Sequence, residues 1–306
     1  MKNRVLCATA AMVFVAAGSA PASPMSPGDI LVGITPSNGS LITYMAEYTR
    51  GGALVQSWQR TNSTAIDGTQ VLGVAVDQNL QPYAEIGQGV SQIWTVDSQS
   101  NASSYFTYAG LSMVGSEADG GLAAYSHYLY AADDDSGSTD AGDPNGIVRF
   151  DLNNPAASQR FFYPYPGTAS GNFEKVTVGL NGVLYALRLQ GTYKSNDVVY
   201  TDPIAMGTPV DLTLPEKANS LAVDRSGDFF ILRDGGVDEY SPSFTLLNTL
   251  AINPARGTLN NITLDPGGTI LISTSGGLVY LTNTSLSPFT SFDTLPLLGS
   301  NPNNGI

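Results

Sequence analysis

The sequence predicts an all-β chain built from a repeated four-stranded unit, and three observations carry that expectation. Charged residues are only 13% of the 306, while Gly (33), Pro (18) and Tyr (15) are abundant, so short apolar runs alternate with turn-forming stretches. One phrase recurs along the chain: an alternating apolar strand, a polar or glycine turn, and a second apolar strand. Two further strand-like runs follow each copy of it.

Taken in order, the first copy is a half. Pro27-Gly28-Asp29-Ile30-Leu31-Val32 reads as the second strand of a hairpin whose first strand is missing. The second copy is Val74-Ala75-Val76-Asp77-Gln78-Asn79 followed by Pro82-Tyr83-Ala84, with further strands over 92–96 and 103–107. The third is the degenerate Leu122-Ala123-Ala124-Tyr125-Ser126-His127-Tyr128-Leu129-Tyr130, followed by 147–151 and 160–163. In the fourth, Val176-Thr177-Val178-Gly179-Leu180-Asn181-Gly182-Val183-Leu184-Tyr185 precedes 198–201 and 210–213. The fifth runs from Leu221-Ala222-Val223-Asp224 through Gly227 to Phe229-Phe230-Ile231-Leu232, with 237–240 and 244–250 behind it. The last, Ile262-Thr263-Leu264-Asp265-Pro266-Gly267-Gly268-Thr269-Ile270-Leu271-Ile272, is completed by 278–281 and 289–292.

Four strands in a repeat of ~40–55 residues is the period of a β-propeller blade. The expectation is therefore a six-bladed β-propeller with four-stranded antiparallel blades. A β-sandwich also accommodates many short strands, but it gives no reason for one phrase to return six times. The first blade lacks its innermost strand, and Leu295-Pro296-Leu297-Leu298 remains after the last. That C-terminal segment is expected to enter the first blade and close the ring, since an open ring leaves unpaired strand edges.

The N-terminus reads as an export leader. Lys2 and Arg4 precede an apolar run over 5–18, and Ser19-Ala20-Pro21-Ala22 supplies an Ala-x-Ala cleavage site. The run is too short for a membrane-spanning helix of ~20 residues, and no second apolar segment follows. Residues 1–22 are thus expected to be a signal peptide, and 23–306 a single secreted or periplasmic domain with no membrane span. Cleavage removes Cys7, the only cysteine, and with it any disulfide or thiolate chemistry. A formal net charge of −13 argues against a nucleic-acid partner, which needs clustered Lys and Arg.

The phrase "Val-Asp-x-x-Gly-x-aromatic-x-Ile/Val" over 223–231 resembles NHL-repeat propellers and the six-bladed gluconolactonase (regucalcin-like) family. The resemblance implies a fold whose members bind proteins or carbohydrates, or carry hydrolase and lyase sites; it fixes no single activity. The family's metal site uses an Asn heading an inner strand in an Asn-Gly-Leu phrase, and Asn219-Ser220-Leu221 is similar. It also uses an Asp at the end of the next strand, where this chain has Leu232-Arg233 with Asp234 one place later. The family's acidic residue of the first blade has no counterpart here. Propeller antibiotic lyases of the virginiamycin B type rely on a late-blade histidine, and the late repeats here contain none.

Counting eight residues back from Gly268, Gly227, Gly182 and His127 gives Asn260, Asn219, Glu174 and Asp119, whereas the second copy has Leu72. Equivalent heads of inner strands form a ring about the propeller axis. Two carboxylates and two amides there are able to hold Ca²⁺ or Mg²⁺, or to meet sugar hydroxyls, with a hydrated mouth as the alternative. No organic cofactor is indicated. Long loops on the same face bring Tyr108, Tyr165 and Tyr193 toward the mouth as stacking platforms for a sugar. The acidic stretch 133–146 places five carboxylates in fourteen residues but lacks EF-hand spacing, because its fifth position is Gly137. His127 is the one histidine, which excludes a His-cluster zinc site. No nucleophile elbow or Ser/His/Asp arrangement is present. The sequence thus reads as an exported, monomeric propeller binding a carbohydrate or protein at an acidic, oxygen-rich mouth. Its rivals are a metal-dependent hydrolase or lyase acting on a sugar or lactone, and a structural extracellular module.

Overall fold

A computed structural model describes residues 8–12, 25–35, 42–61, 70–87, 92–96, 103–106, 121–133, 146–162, 173–188, 195–287 and 289–294. These form six four-stranded antiparallel sheets, each an up-and-down meander in chain order. Sheet one is β1 (Ala8–Met12), β2 (Ile30–Ile34), β3 (Ile42–Tyr48) and β4 (Leu54–Thr61). Sheet two is β5 (Gln70–Val76), β6 (Pro82–Gly87), β7 (Gln92–Val96) and β8 (Ser103–Phe106). Sheet three is β9 (Leu122–Tyr125), β10 (Tyr128–Asp133), β11 (Gly146–Asp151) and β12 (Gln159–Phe162). Sheet four comprises β13 (Phe173–Val178), β14 (Leu184–Arg188), β15 (Ser195–Thr201) and β16 (Val210–Ala218). Sheet five comprises β17 (Ser220–Val223), β18 (Phe229–Arg233), β19 (Gly236–Tyr240) and β20 (Leu246–Ala251). Sheet six is β21 (Leu259–Leu264), β22 (Thr269–Thr274), β23 (Leu278–Asn283) and β24 (Thr290–Asp293).

The sheets are held together by alternation within their second strands. Successive side chains leave opposite faces of a strand, so each strand serves two neighbours. In β18, Ile231 joins Tyr185, Leu187 and Leu221 on the side of sheet four, whereas Phe230 and Leu232 join Ile262, Ile270 and Ile272 of sheet six. In β6, Ala84 packs with Leu31, Met45 and Trp58 of sheet one, while Tyr83 packs with Leu122 and Phe150 of sheet three. Tyr130 and Ala132 of sheet three meet Phe173, Val176 and Leu184 of sheet four. Leu271 and Val279 of sheet six meet Ile30, Val32 and Ile34 of sheet one. Six such cores follow one another around the molecule, and β21 neighbours β1 as β1 neighbours β5.

Polar bridges reinforce the seams between sheets. Arg50 reaches from sheet one to the fully buried Asp265 of sheet six at 2.7 Å. The Tyr130 hydroxyl donates to Pro203 O at 2.7 Å between sheets three and four. Burial without a partner would be costly for the Asp265 carboxylate and for the Tyr130 hydroxyl.

One five-residue turn is used repeatedly. Asp224 accepts Ser226 N and Asp228 N on Oδ1, its own N–H donates to Asp228 O, and Gly227 N donates back to Asp224 O. Asp77 and Asp265 build the same turn. Ser241 and Asn283 build it between third and fourth strands. The fourth residue of the turn sits in the left-handed region: Gly227 at φ 86°, Gly268 at 85°, but also Leu80 at 63°, Phe244 at 58° and Leu286 at 56°. Side-chain burial offsets the backbone strain at Leu80 and Leu286, which are both buried.

Two expectations need correction. The inner strand of sheet one is β1, paired with β2 from Ala8↔Ile34 to Met12↔Ile30, rather than the segment beginning at Leu295, which lies outside the described residues. An apolar run of small and β-compatible residues suits an inner strand as well as it suits a leader, and composition does not separate the two. The third repeat also closes differently. Its Tyr125↔Tyr128 pair leaves a two-residue turn with Ser126 at φ 57°, so His127 is not the counterpart of Gly182.

A carboxyl pair marks the entry to β2. Burial, then hydrogen bonding and repulsion from Glu47, push the Asp29 carboxyl up to about 6. Glu47 is fully buried and accepts Ser26 N at 2.6 Å. A raised folded-state value means the folded protein holds the Asp29 proton more tightly than the unfolded chain does. Its contribution to stability is complete below the ordinary value of 3.8 and is lost as pH rises through about 6. The Asp29→Asn variant is expected to retain that stabilisation at pH 7, narrowing the difference in melting temperature between pH 5 and pH 7; an unchanged difference refutes the assignment. Separately, Gly227→Ala adds a Cβ that meets nothing nearer than 3.4 Å, so its cost is the backbone conformation alone. Chemical denaturation is expected to show a loss of about 1–2 kcal/mol. Gly207→Ala, at ordinary φ and in open space, should stay near neutral.

Candidate functional site

The first strands β5, β9, β13, β17 and β21 surround a central cavity of about 550 Å³. Its wall begins at the strand heads with Lys175, Ser220 and Asn261. It continues through Ala123, Thr177 and Thr263 and ends among the turns at Tyr125, Asn181 and Arg225. Lys175 and Thr177 lie two apart on β13, as do Asn261 and Thr263 on β21, so each pair shares a strand face.

Packing between first strands fixes which residues are equivalent. A Cβ on Gly73 would lie 2.4 Å from Leu122 N, and one on Gly121 would lie 2.9 Å from Val176 N. Ser220 Oγ accepts Ile262 N at 3.4 Å. These relations make Gly73, Gly121, Lys175, Ser220 and Asn261 counterparts. Glycine at the first two positions lets three strands approach closely; the other three positions carry polar side chains. Ser220 Oγ donates to Asn261 Oδ1 at 2.6 Å, tying sheets five and six at the cavity wall.

The sequence-based candidates fall one residue before this set. Leu72, Glu174 and Asn260 sit at register shifts between Val71 and Gly73, Phe173 and Lys175, and Leu259 and Asn261. A bulge places two residues against one, so the next residue takes over the wall position. Asn219, immediately before β17, bridges the same two sheets: its Nδ2 donates to Asp234 Oδ1 at 3.2 Å and to Leu259 O at 3.3 Å. The pair Asn219 and Asp234 named by the family resemblance is thus in contact. Counting back from Gly121 gives residue 120, not Asp119, because the third repeat's hairpin is one residue shorter. Asp119 lies outside the described residues, as do Tyr108, Tyr165 and Tyr193 and the interior of the acidic stretch; Glu174 is placed only by its backbone in β13. Among the described residues, no three His, Cys, Asp or Glu side chains come together to hold a metal. His127 is half-buried at a turn, its ring 4.0 Å from that of Tyr128 and away from the cavity wall.

Both carboxylates expected at the acidic mouth, Asp119 and the side chain of Glu174, lie outside the described residues. Among the described residues of the wall are two cations, Lys175 and Arg225, and no carboxylate. Sequence reasoning missed Lys175, Ser220 and Asn261. The signal was present in Lys-Val-Thr, Ser-Leu-Ala and Asn-Ile-Thr, each a polar residue directly before the apolar residue that packs between sheets.

A second ionic cluster joins Glu216 of sheet four to Arg233 and Asp238 of sheet five. Burial raises the Asp238 carboxyl, but the Arg233 bonds at 2.6 and 3.1 Å outweigh it and hold Asp238 below the ordinary range. Burial, then Asp238, pushes Glu216 up. None of its residues lines the cavity, and it reads as a structural tie between β16, β18 and β19.

No protein-family model matches the chain, and no curated protein matches it. Among solved structures, U3-55K is similar with a TM-score of 0.55 at 10% identity, over 94% of this chain and 85% of that one. The Dos1 propeller matches at 0.49 and 15% identity, covering 87% and 68%. A streptogramin B lyase matches at 0.49 and 14%, covering 76% and 71%. At 10% identity the likeness to U3-55K is one of fold, and the six four-stranded meanders that follow one another around the cavity are themselves a β-propeller arrangement.

Proposed function

We propose that the protein is an exported six-bladed β-propeller that binds a carbohydrate in its central channel. The observation that carries this reading is the cavity itself. Its volume lies within the ~300–1,000 Å³ usual for ligand pockets, and its wall mixes apolar side chains with a few convergent polar groups. The Thr177 and Thr263 hydroxyls and the Asn261 amide nitrogen make no hydrogen bond among the described residues. Tyr125 supplies aromatic surface at the turn end. The propeller repeat supports a single domain, and the lack of an acid–base pair on the described wall favours binding over hydrolysis.

A thermal-shift screen against mono- and oligosaccharides tests the binding reading. A ligand that binds only the folded state raises the melting temperature by mass action. Ala123→Trp and Thr263→Trp each fill the channel from a different sheet, and either variant that remains folded by circular dichroism should lose the shift. A shift that survives both moves the site elsewhere and overturns the reading.

Export places a demand on the fold, because the expected leader contains β1. Cleavage after Ala22 removes that strand and leaves the inner edge of β2 facing the channel. N-terminal sequencing of exported protein is expected to begin at Ser23. A start upstream of Ala8 keeps β1 in place and ends the leader reading.

A further inference from the structure

We infer that the turn over 26–29 is a proton-operated latch, closed while Asp29 and Glu47 share a proton and released when that proton leaves. Asp29 N donates to Ser26 O at 3.3 Å, with Pro27 second and Gly28 third at φ 85°, the pattern of a type II turn. Both ends of this turn converge on one side chain. Glu47 of β3 is fully buried; its Oε1 accepts Ser26 N at 2.6 Å, and its carboxylate is hydrogen-bonded to the Asp29 carboxyl. Gln56 of β4 donates to its other oxygen. Two carboxylates bonded to each other need one proton between them, because the fully ionised pair repels.

The turn holds down the residue before it. Met25 is buried in the core between sheets one and two, in one cluster with Leu31, Met45, Trp58 and Val71. Next to Asp29, Ile30 pairs with Met12, so the latch sits where the inner strand of sheet one meets its neighbour. Besides the acid pair itself, charge reaches the turn from Arg50 and, behind it, from Asp265. Arg50 Nε donates to Gly28 O at 3.4 Å, and its Nη2 pairs with Asp265 of sheet six at 2.7 Å. Sheet two presents apolar side chains to this core, Val71, Val74 and Leu80 among them. Burial, then Glu47, raises the Asp29 carboxyl from 3.8 to about 6. The closed turn therefore holds the proton more tightly than the open one. Its stabilisation is complete below 3.8 and is lost as pH rises through about 6, so the open fraction grows about tenfold between pH 5 and pH 8.

Oxidation of Met25 by hydrogen peroxide reads the open fraction, since a buried thioether reacts only when its segment opens. In the full-length protein, peptide mass spectrometry should show Met25 oxidising about tenfold faster at pH 8 than at pH 5, relative to free methionine. Asp29→Asn keeps a hydrogen-bond donor toward Glu47 but has no proton to lose, so Met25 should then oxidise equally slowly at both pH values. Asp29→Ser, also a donor, carries the same test where the asparagine variant fails to fold. Met206, buried in the core between sheets three and four, is the control and should show no rise. Equal Met25 rates at pH 5 and pH 8 in the unaltered protein overturn the latch. A rise that survives in either folded variant places the titrating group elsewhere and overturns it too. So does a rise that Met206 shares, which marks loosening of the whole fold rather than release of one turn.

Discussion

The structure depends on second strands that are apolar on both faces. A sheet with one oily face has one partner, and two such sheets make a sandwich. Here Phe230 and Leu232 face one neighbour while Ile231 faces the other, so each sheet must lie between two others. Repeated through β2, β6, β10, β14, β18 and β22, that requirement arranges the sheets in a cycle rather than a stack. The cavity is a consequence of the same geometry: first strands meet edge to edge around an axis that their side chains do not fill. Glycines at 73 and 121 bring those edges closest, where a Cβ would collide with a neighbouring backbone.

The turns show how one local solution serves different sequences. Asp, Ser and Asn differ in size and charge, yet each accepts the N–H of the residue four places on and leaves the residue three places on in the left-handed region. Glycine occupies that place without strain in the inner hairpins of sheets four, five and six. Where Leu80 or Leu286 stands instead, the side chain is buried in an inter-sheet core, so packing holds a backbone shape that the residue alone would avoid.

These features bear directly on the candidate site. Its polar residues come from the position just before the apolar residue of each inner strand. Three sheets carry Lys175, Ser220 and Asn261 there, and two carry glycine, where a Cβ would meet the next strand's backbone. The wall is thereby asymmetric about the axis, with its polar groups gathered on sheets four to six. An asymmetric lining on a pseudo-symmetric scaffold is what recognition of an asymmetric ligand requires.

The sequence by itself determined the strands and their grouping. Runs predicted at 92–96, 237–240 and 278–281 recur almost unchanged as β7, β19 and β23, because alternation and turn chemistry are local and leave their mark on neighbouring residues. It also pointed to the heads of the inner strands as a candidate site, since a repeat fixes equivalence around an axis. Tertiary structure decided the rest. Bulges at Leu72, Glu174 and Asn260 moved the wall by one residue, and a bulge is set by how two strands pair. The shorter hairpin of the third repeat displaced the count to Asp119. The partner of β2 was also beyond local reading, because Ala8–Met12 is apolar enough for a leader or a strand, and only the open edge of a sheet assembled from elsewhere in the chain tells them apart. Finally, composition reports the charge of the whole molecule, whereas the sign of the channel depends on which few of those charges the fold brings to its axis.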